Sequence, residues 1–217
     1  MIEFLRHVHS SRRSVVLGKI IVLAGNVGAG KSTIASAIAE GLGFSIHYES
    51  VSDNPFLEDF YYDQKRWSYH LQTYFLFHRY CSLKQAEEKD NTVFDRSIYE
   101  DREIFARNLF ETGKMSQREF AAYVTMFDSM IKYLKKPDLL VYIDADVDTI
   151  LARIRRRGRQ METAVPIAYW EQLDRLYSQW IEEYDLSPVY KIDARSVDIV
   201  INPEKTERII GEIKRIL

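Results

Sequence analysis

Five short runs rich in β-branched residues recur along the chain, and between them apolar residues fall every three or four positions. KIIVLAG at 19–25 is continuously apolar after its lysine and ends in glycine, the signature of a strand buried on both faces. SIHYE at 45–49, NTVFD at 91–95, PDLLVYIDA at 137–145 and VYKIDA at 189–194 read as four further strands. Helical spacing predicts helices in IASAIAEGL, in WSYHLQTYFLFHRYCSLKQAEEK within the aromatic-rich stretch 56–90, over 99–112 and over 116–135, the last two separated by ETGKMS. VDTILARIRRRGR begins as a helix and ends in a basic run, PIAYWEQLDRLYSQWIEEY is helical, and NPEKTERIIGEIKRIL closes the chain with Pro203 near its helix start. Strands alternating with helices predict an α/β fold, a five-stranded parallel sheet with helices on both faces.

Composition narrows the class. At 217 residues the chain suits one substantial core with a small lid, and neither a repeat nor a domain-dividing linker interrupts 19–217. With 30 basic and 32 acidic side chains, the net charge of -2 gives no basis for non-specific nucleic-acid binding. The single cysteine, Cys81, cannot form an intrachain disulfide and argues against a multi-cysteine zinc site. Residues 1–18 lack a clean period and read as an arm, and MIEFLRHVHSSRRS does not resemble a secretory signal. No run approaches a membrane span, so a cytoplasmic location is the expectation.

The most specific local signal follows the first strand. Gly25-Asn26-Val27-Gly28-Ala29-Gly30-Lys31-Ser32, then Thr33, fits the pattern G-x-x-x-x-G-K-[ST] between a strand and a helix, as in a P-loop. Glycines let backbone N–H groups converge on a phosphate, and the helix N-terminus adds favourable potential. Lys31 can reach β- and γ-phosphoryl oxygens, and Ser32 can place its hydroxyl on Mg²⁺. The motif implies a nucleoside triphosphate and leaves the acceptor open. Glu49 and Asp95 close two strands whose C-terminal ends open on the ligand crevice of a parallel sheet. One acid could deprotonate an attacking hydroxyl, the other organise Mg²⁺, or both could simply cap turns or pair with Arg96. Aromatic residues crowd 56–80; most suit core packing, and a few could form a slot for a base whose edge Gln72 or Arg79 reads. Arg153, Arg155, Arg156, Arg157 and Arg159 form a basic run. It suits a solvated helix end or a lid, about 153–165, whose guanidinium groups stabilise a transferred phosphoryl group. In VFDRSIYED, Glu100 is expected to face solvent.

Taken together, GNVGAGKST, YES followed by NPFLEDFY, LQTYFLFHRY, DRSIYEDREIF and RIRRRGR resemble the deoxyribonucleoside kinase family over about 19–217, in its bacterial deoxyadenosine/deoxyguanosine kinase branch. The resemblance implies a P-loop kinase fold that moves the γ-phosphoryl group of ATP, with Mg²⁺, to a nucleoside 5'-hydroxyl. It implies Glu49 as general base and Arg96 near the 5'-hydroxyl and phosphates, with Asp95 toward the metal. It assigns Tyr61 and Glu162 to the sugar 3'-hydroxyl and Gln72 to the base. Arg155, Arg157 and Arg159 fall in the lid. Arg79 and Asp101 match the pair in members that accept purines or deoxycytidine. Deoxyadenosine is the expected acceptor, with deoxyguanosine and deoxycytidine open, and the family implies a homodimer. A nucleoside monophosphate kinase or a non-catalytic NTP switch is the rival reading. YES departs from the Glu-Pro of many animal-type members but keeps the acid.

Overall fold

A computed structural model describes residues 18–48, 54–87, 91–158, 165–195 and 202–217. Its elements run β1 (Ile20–Ala24), α1 (Lys31–Leu42), β2 (Ser45–His47), α2 (Leu57–Tyr62), α3 (Gln64–Glu87) and β3 (Thr92–Asp95). Then follow α4 (Ile98–Glu100), a π-helical segment (Asp101–Ala106), α5 (Arg107–Glu111), α6 (Gln117–Ile131), β4 (Leu139–Asp144) and α7 (Val147–Arg157). The chain closes with α8 (Ile167–Glu183), β5 (Val189–Asp193) and α9 (Pro203–Ile216).

All five strands are parallel, in the order β2-β3-β1-β4-β5. Residues of β1 and β3 are buried throughout, whereas the edge strands β2 and β5 keep exposed positions. This is why the central strands read as unbroken apolar runs and the edges as mixed ones. Helices α1 and α9 pack on each other, while α3, the π segment, α5, α6 and α8 form a second contacting group. A sheet flanked by helices matches the sequence expectation. After β1 the chain crosses toward β2, and after β3 it crosses the other way toward β4. The neighbours β1 and β3 therefore flank the point where the winding reverses, which is where open α/β sheets bind ligands at their C-terminal strand ends.

Local signals explain several element boundaries. Ser116 and Glu119 form a reciprocal cap at the start of α6, with the Glu119 amide donating to Ser116 Oγ at 3.3 Å and the Ser116 amide donating to Glu119 Oε2 at 2.8 Å. Asn202 caps α9 by accepting from the Lys205 amide at 3.1 Å, with Pro203 in the first turn. The long helix expected within the aromatic stretch is α3, with the shorter α2 before it across Asp63. The structure differs from expectation at two places. The strand expected at 45–49 ends at His47, and Glu49 lies outside the described residues. The helix expected over 99–112 contains a π-helical segment, which periodicity did not reveal. No helix among the described residues is long and apolar enough to cross a membrane.

Candidate active site

β1 delivers the chain into the glycine-rich loop, and β3 delivers it into Asp95-Arg96-Ser97. Leu23 pairs with Asp95 across the two strands, so both loops leave the sheet at one level. Gly25 carries φ of 150°, and a Cβ on it would stand 2.7 Å from the Ile143 carbonyl oxygen of β4. Any side chain would force the loop off the sheet. The loop is held by its own residues: the Asn26 carbonyl accepts from the Ala29 amide at 3.1 Å, and buried Asn26 donates through Nδ2 to the Trp170 carbonyl of α8 at 3.2 Å. Lys31 is buried, and its ammonium donates to the Gly25 and Asn26 carbonyls at 2.8 and 3.0 Å. Its charge is thus stored at the mouth of the loop.

Ser32 Oγ donates to Asp95 Oδ2 at 2.5 Å, joining the first turn of α1 to the end of β3. Asp95 Oδ1 is buried without a hydrogen-bond partner. A hydroxyl and an under-satisfied carboxylate side by side are a donor set suited to a hard cation that takes its other oxygens from phosphate and water. Among the described residues no cluster of three carboxylate, imidazole or thiol side chains could hold a metal alone. Ser32 and Asp95 are therefore residues that could contribute to holding Mg²⁺.

Arg96 is the sole non-glycine residue with positive φ among the described ones, at 103°. Such a backbone costs on the order of 1–3 kcal/mol and persists only where surroundings impose it. The guanidinium lies 4.6 Å from the Phe105 ring centroid, and Nη1 donates to the Tyr177 hydroxyl at 3.1 Å and to Glu100 Oε1 at 3.4 Å. Glu100, expected in solvent, has no exposed surface at all. Its Oε1 also accepts from the Tyr177 hydroxyl at 2.7 Å and from the Gly25 amide at 3.4 Å, and its Oε2 accepts from the Ser97 amide at 2.8 Å. The sequence did not reveal this because Gly25 and Tyr177 stand 75 and 77 residues away from Glu100. Burial, then the Glu100 charge, pushes the Tyr177 phenol well above its usual range, so it remains a donor.

Arg79 of α3 forms an ion pair with Asp101, the first residue of the π segment, and its guanidinium sits 4.9 Å from the Phe75 ring centroid. Asp101 Oδ2 and Gln72 Oε1 are buried without partners. Gln72 and Arg79 are two turns apart on α3 and share a face. A cavity of about 200 Å³ runs between α3 and the ends of β2 and β3, lined by His47, Tyr74, Phe75, Arg79, Asp95 and Arg96 among others. Burial, and then the charge of Arg79, lower the His47 pKa, and its ring stacks on Phe94 at 5.1 Å.

The remaining sequence candidates divide. Tyr61 is partly exposed on α2, edge-on to Phe60. Arg153 donates to the Ala29 carbonyl at 2.6 Å and to the Ala194 carbonyl at 2.9 Å, tying the glycine-rich loop to the end of β5. Arg155 and Arg157 lie on the exposed last turn of α7. Glu49, Arg159 and Glu162 fall outside the described residues.

A family model for deoxynucleoside kinases matches residues 21–217. The chain belongs to the deoxynucleoside kinase family. The kinase is 40% identical over 201 residues to the Bacillus subtilis deoxyadenosine/deoxycytidine kinase, covering 91% of this chain and 93% of that protein. It is also 40% identical over 203 residues to the Lactobacillus johnsonii deoxyguanosine kinase, covering 89% of this chain and 90% of the relative. The solved structure of deoxyadenosine kinase from M. mycoides with dCMP and a flexible dCDP bound has a TM-score of 0.80 and 32% identity, covering 90% of this chain and 99% of that one. The kinase is therefore an enzyme that transfers a phosphoryl group from ATP to a deoxynucleoside. Relatives with different base names stand at the same identity, so identity does not choose the base.

Proposed function

We propose that the kinase phosphorylates the 5'-hydroxyl of deoxyadenosine in preference to other deoxynucleosides, with deoxycytidine as its second acceptor. The observation that carries the base assignment is the pair of unpartnered buried acceptors, Asp101 Oδ2 and Gln72 Oε1. A buried acceptor left unpaired costs about 1–3 kcal/mol, so the ligand that satisfies both is favoured. An exocyclic amino group offers two N–H donors at one nitrogen. Adenine N6 and cytosine N4 present one at the position where guanine O6 and thymine O4 present a carbonyl; the amino group of guanine, N2, lies at the opposite end of its pairing edge. A carbonyl oxygen at that position would meet acceptor against acceptor.

In this reading the glycine-rich loop wraps the triphosphate as a P-loop. Lys31 exchanges its two loop carbonyls for phosphoryl oxygens, and the arginines of the lid, Arg155, Arg157 and Arg159, add charge and exclude water. Arg153 holds the loop from behind. Ser32 and Asp95 would hold Mg²⁺, which when bound neutralises charge on the β- and γ-phosphates. Arg96 meets the same charge from the acceptor side. Glu49 takes the 5'-hydroxyl proton, and Tyr61 with Glu162 orients the sugar. The molecule works as a homodimer in the cytoplasm.

Initial-rate measurements with the four deoxynucleosides and their ribose analogues test the assignment. The expected order in kcat/KM is deoxyadenosine, then deoxycytidine, with thymidine lower by at least about 10²-fold, as expected for a site whose buried polar groups go unpaired. A preference for thymidine or deoxyguanosine would overturn it, and turnover of dAMP but not deoxyadenosine would favour a monophosphate kinase.

A further inference from the structure

We propose that Glu100 is a positioning residue for phosphoryl transfer, fixing Arg96 and the first residue of the glycine-rich loop relative to one another. The proposal rests on the placement of Arg96 beside the transferred phosphoryl group given above. A local role accounts for only part of what Glu100 does. As the third residue after Ser97 it completes a capping box, and that explains the Ser97 amide on Oε2. It does not explain why Oε1 gathers donors from three other places: the Tyr177 hydroxyl of α8, Arg96 Nη1 and the Gly25 amide. Nor does capping require complete burial, since the comparable box at Ser116–Glu119 is exposed.

Burying a carboxylate costs several kcal/mol unless charge and hydrogen bonds compensate. Here Arg96 supplies the charge, and Tyr177 and the two backbone amides supply donors. The same contacts constrain the strained backbone of Arg96, whose positive φ would otherwise relax. Gly25 opens the donor-side loop and Arg96 opens the acceptor-side loop, and Glu100 touches both. Helix α8 secures the arrangement from one side, through Tyr177 on Glu100 and through the Trp170 carbonyl on Asn26. Every one of the groups facing the carboxylate can donate, so a glutamine must turn its own N–H₂ toward a donor.

The test uses full-length Glu100→Gln, Tyr177→Phe, Arg96→Lys and the double variant Glu100→Gln/Arg96→Lys, with initial rates for both substrates and thermal melting. Glu100→Gln is expected to lower kcat about 50-fold and Tyr177→Phe about 5-fold, with both KM values within about threefold, the pattern of lost transition-state alignment. Arg96→Lys should cost at most about a third as much in the Glu100→Gln background as in the native kinase, because residues acting as one unit are non-additive. Either variant folded at the assay temperature with kcat within about twofold of native, or a loss confined to KM, overturns the proposal. Full additivity with Arg96→Lys does the same. If Glu100→Gln does not fold, Tyr177→Phe decides alone. Native kcat in Arg96→Lys would instead overturn the Arg96 assignment beneath it.

Discussion

Asp95 and Glu100 lie five positions apart, one ending β3 and the other ending α4, and differ in what surrounds them. Asp95 keeps one oxygen unpaired beside the Ser32 hydroxyl, whereas Glu100 has both oxygens engaged and no surface. The first arrangement leaves room for a ligand and the second does not. Replacing Asp95 by Asn keeps the shape and removes the charge, and it is expected to lower kcat by about 10²-fold while the nucleoside KM changes less than about threefold. Initial rates across a magnesium titration check this, and native kcat at saturating magnesium would remove Asp95 from the metal side. At this scale the placement of a residue was legible where its pattern was local. Lys31 and Ser32 belong to one contiguous motif, and Asp95 ends a recognisable strand. Glu100 was misread because nothing within its own stretch announces Gly25 or Tyr177.

Among the elements, α1 shows how packing and chemistry separate along a single helix. Its first turn carries Lys31 and Ser32, while its last turn lies against α9. There a Cβ on Gly41 would stand 2.2 Å from Ile210 Cδ1 and 3.0 Å from Cγ1. Gly41→Ala should lower stability by about 1 kcal/mol net, an overpacking cost of about 1–3 kcal/mol against about 1 kcal/mol of helix propensity gained. Thermal melting should show the loss, Gly41→Ala/Ile210→Val should melt higher than Gly41→Ala, and kcat should be unchanged in both. An equal loss of kcat would mean that the two ends of α1 are not independent. The strands and most helices were legible because burial on both faces makes central strands continuously apolar and burial on one face gives helices a period of 3.6. The π-helical segment was not, since six residues are too few for its longer hydrogen-bond spacing to stand apart from an α pattern.

For the whole molecule, the sheet is fastened at the end opposite the site. Asp138, just before β4, accepts from the Ile20 amide of β1 at 2.7 Å and from Lys135 Nζ at 2.6 Å, with Lys19 at 3.3 Å. Burial pushes its carboxyl pKa up, but the hydrogen bonds from Lys135 and Ile20 and the Lys135 charge outweigh that and hold it below the usual range. A depressed folded pKa gives stability that is complete above the unfolded value, near pH 4, and is lost as pH falls through the folded one. The melting temperature of Asp138→Asn should therefore lie below that of the native kinase at pH 7, with the gap closing under strong acid. A gap that persists unchanged would assign the loss to geometry instead of charge. The order of strands could be anticipated only as a class, since no local pattern states that β1 sits between β3 and β4. That placement nevertheless puts the donor loop and acceptor loop side by side. The π-helical segment carries a consequence for what a deletion there would change. It holds one residue more per hydrogen-bonded turn than an α-helix. Deleting a single residue between Asp101 and Arg107 would restore ordinary α pairing and rotate one end against the other by about 100°. Asp95, Arg96 and Glu100 all precede that point. Gln72, Arg79 and Asp101 do not follow it either, so a one-codon deletion would shift α5 against the phosphoryl and base residues together and would not separate one set from the other.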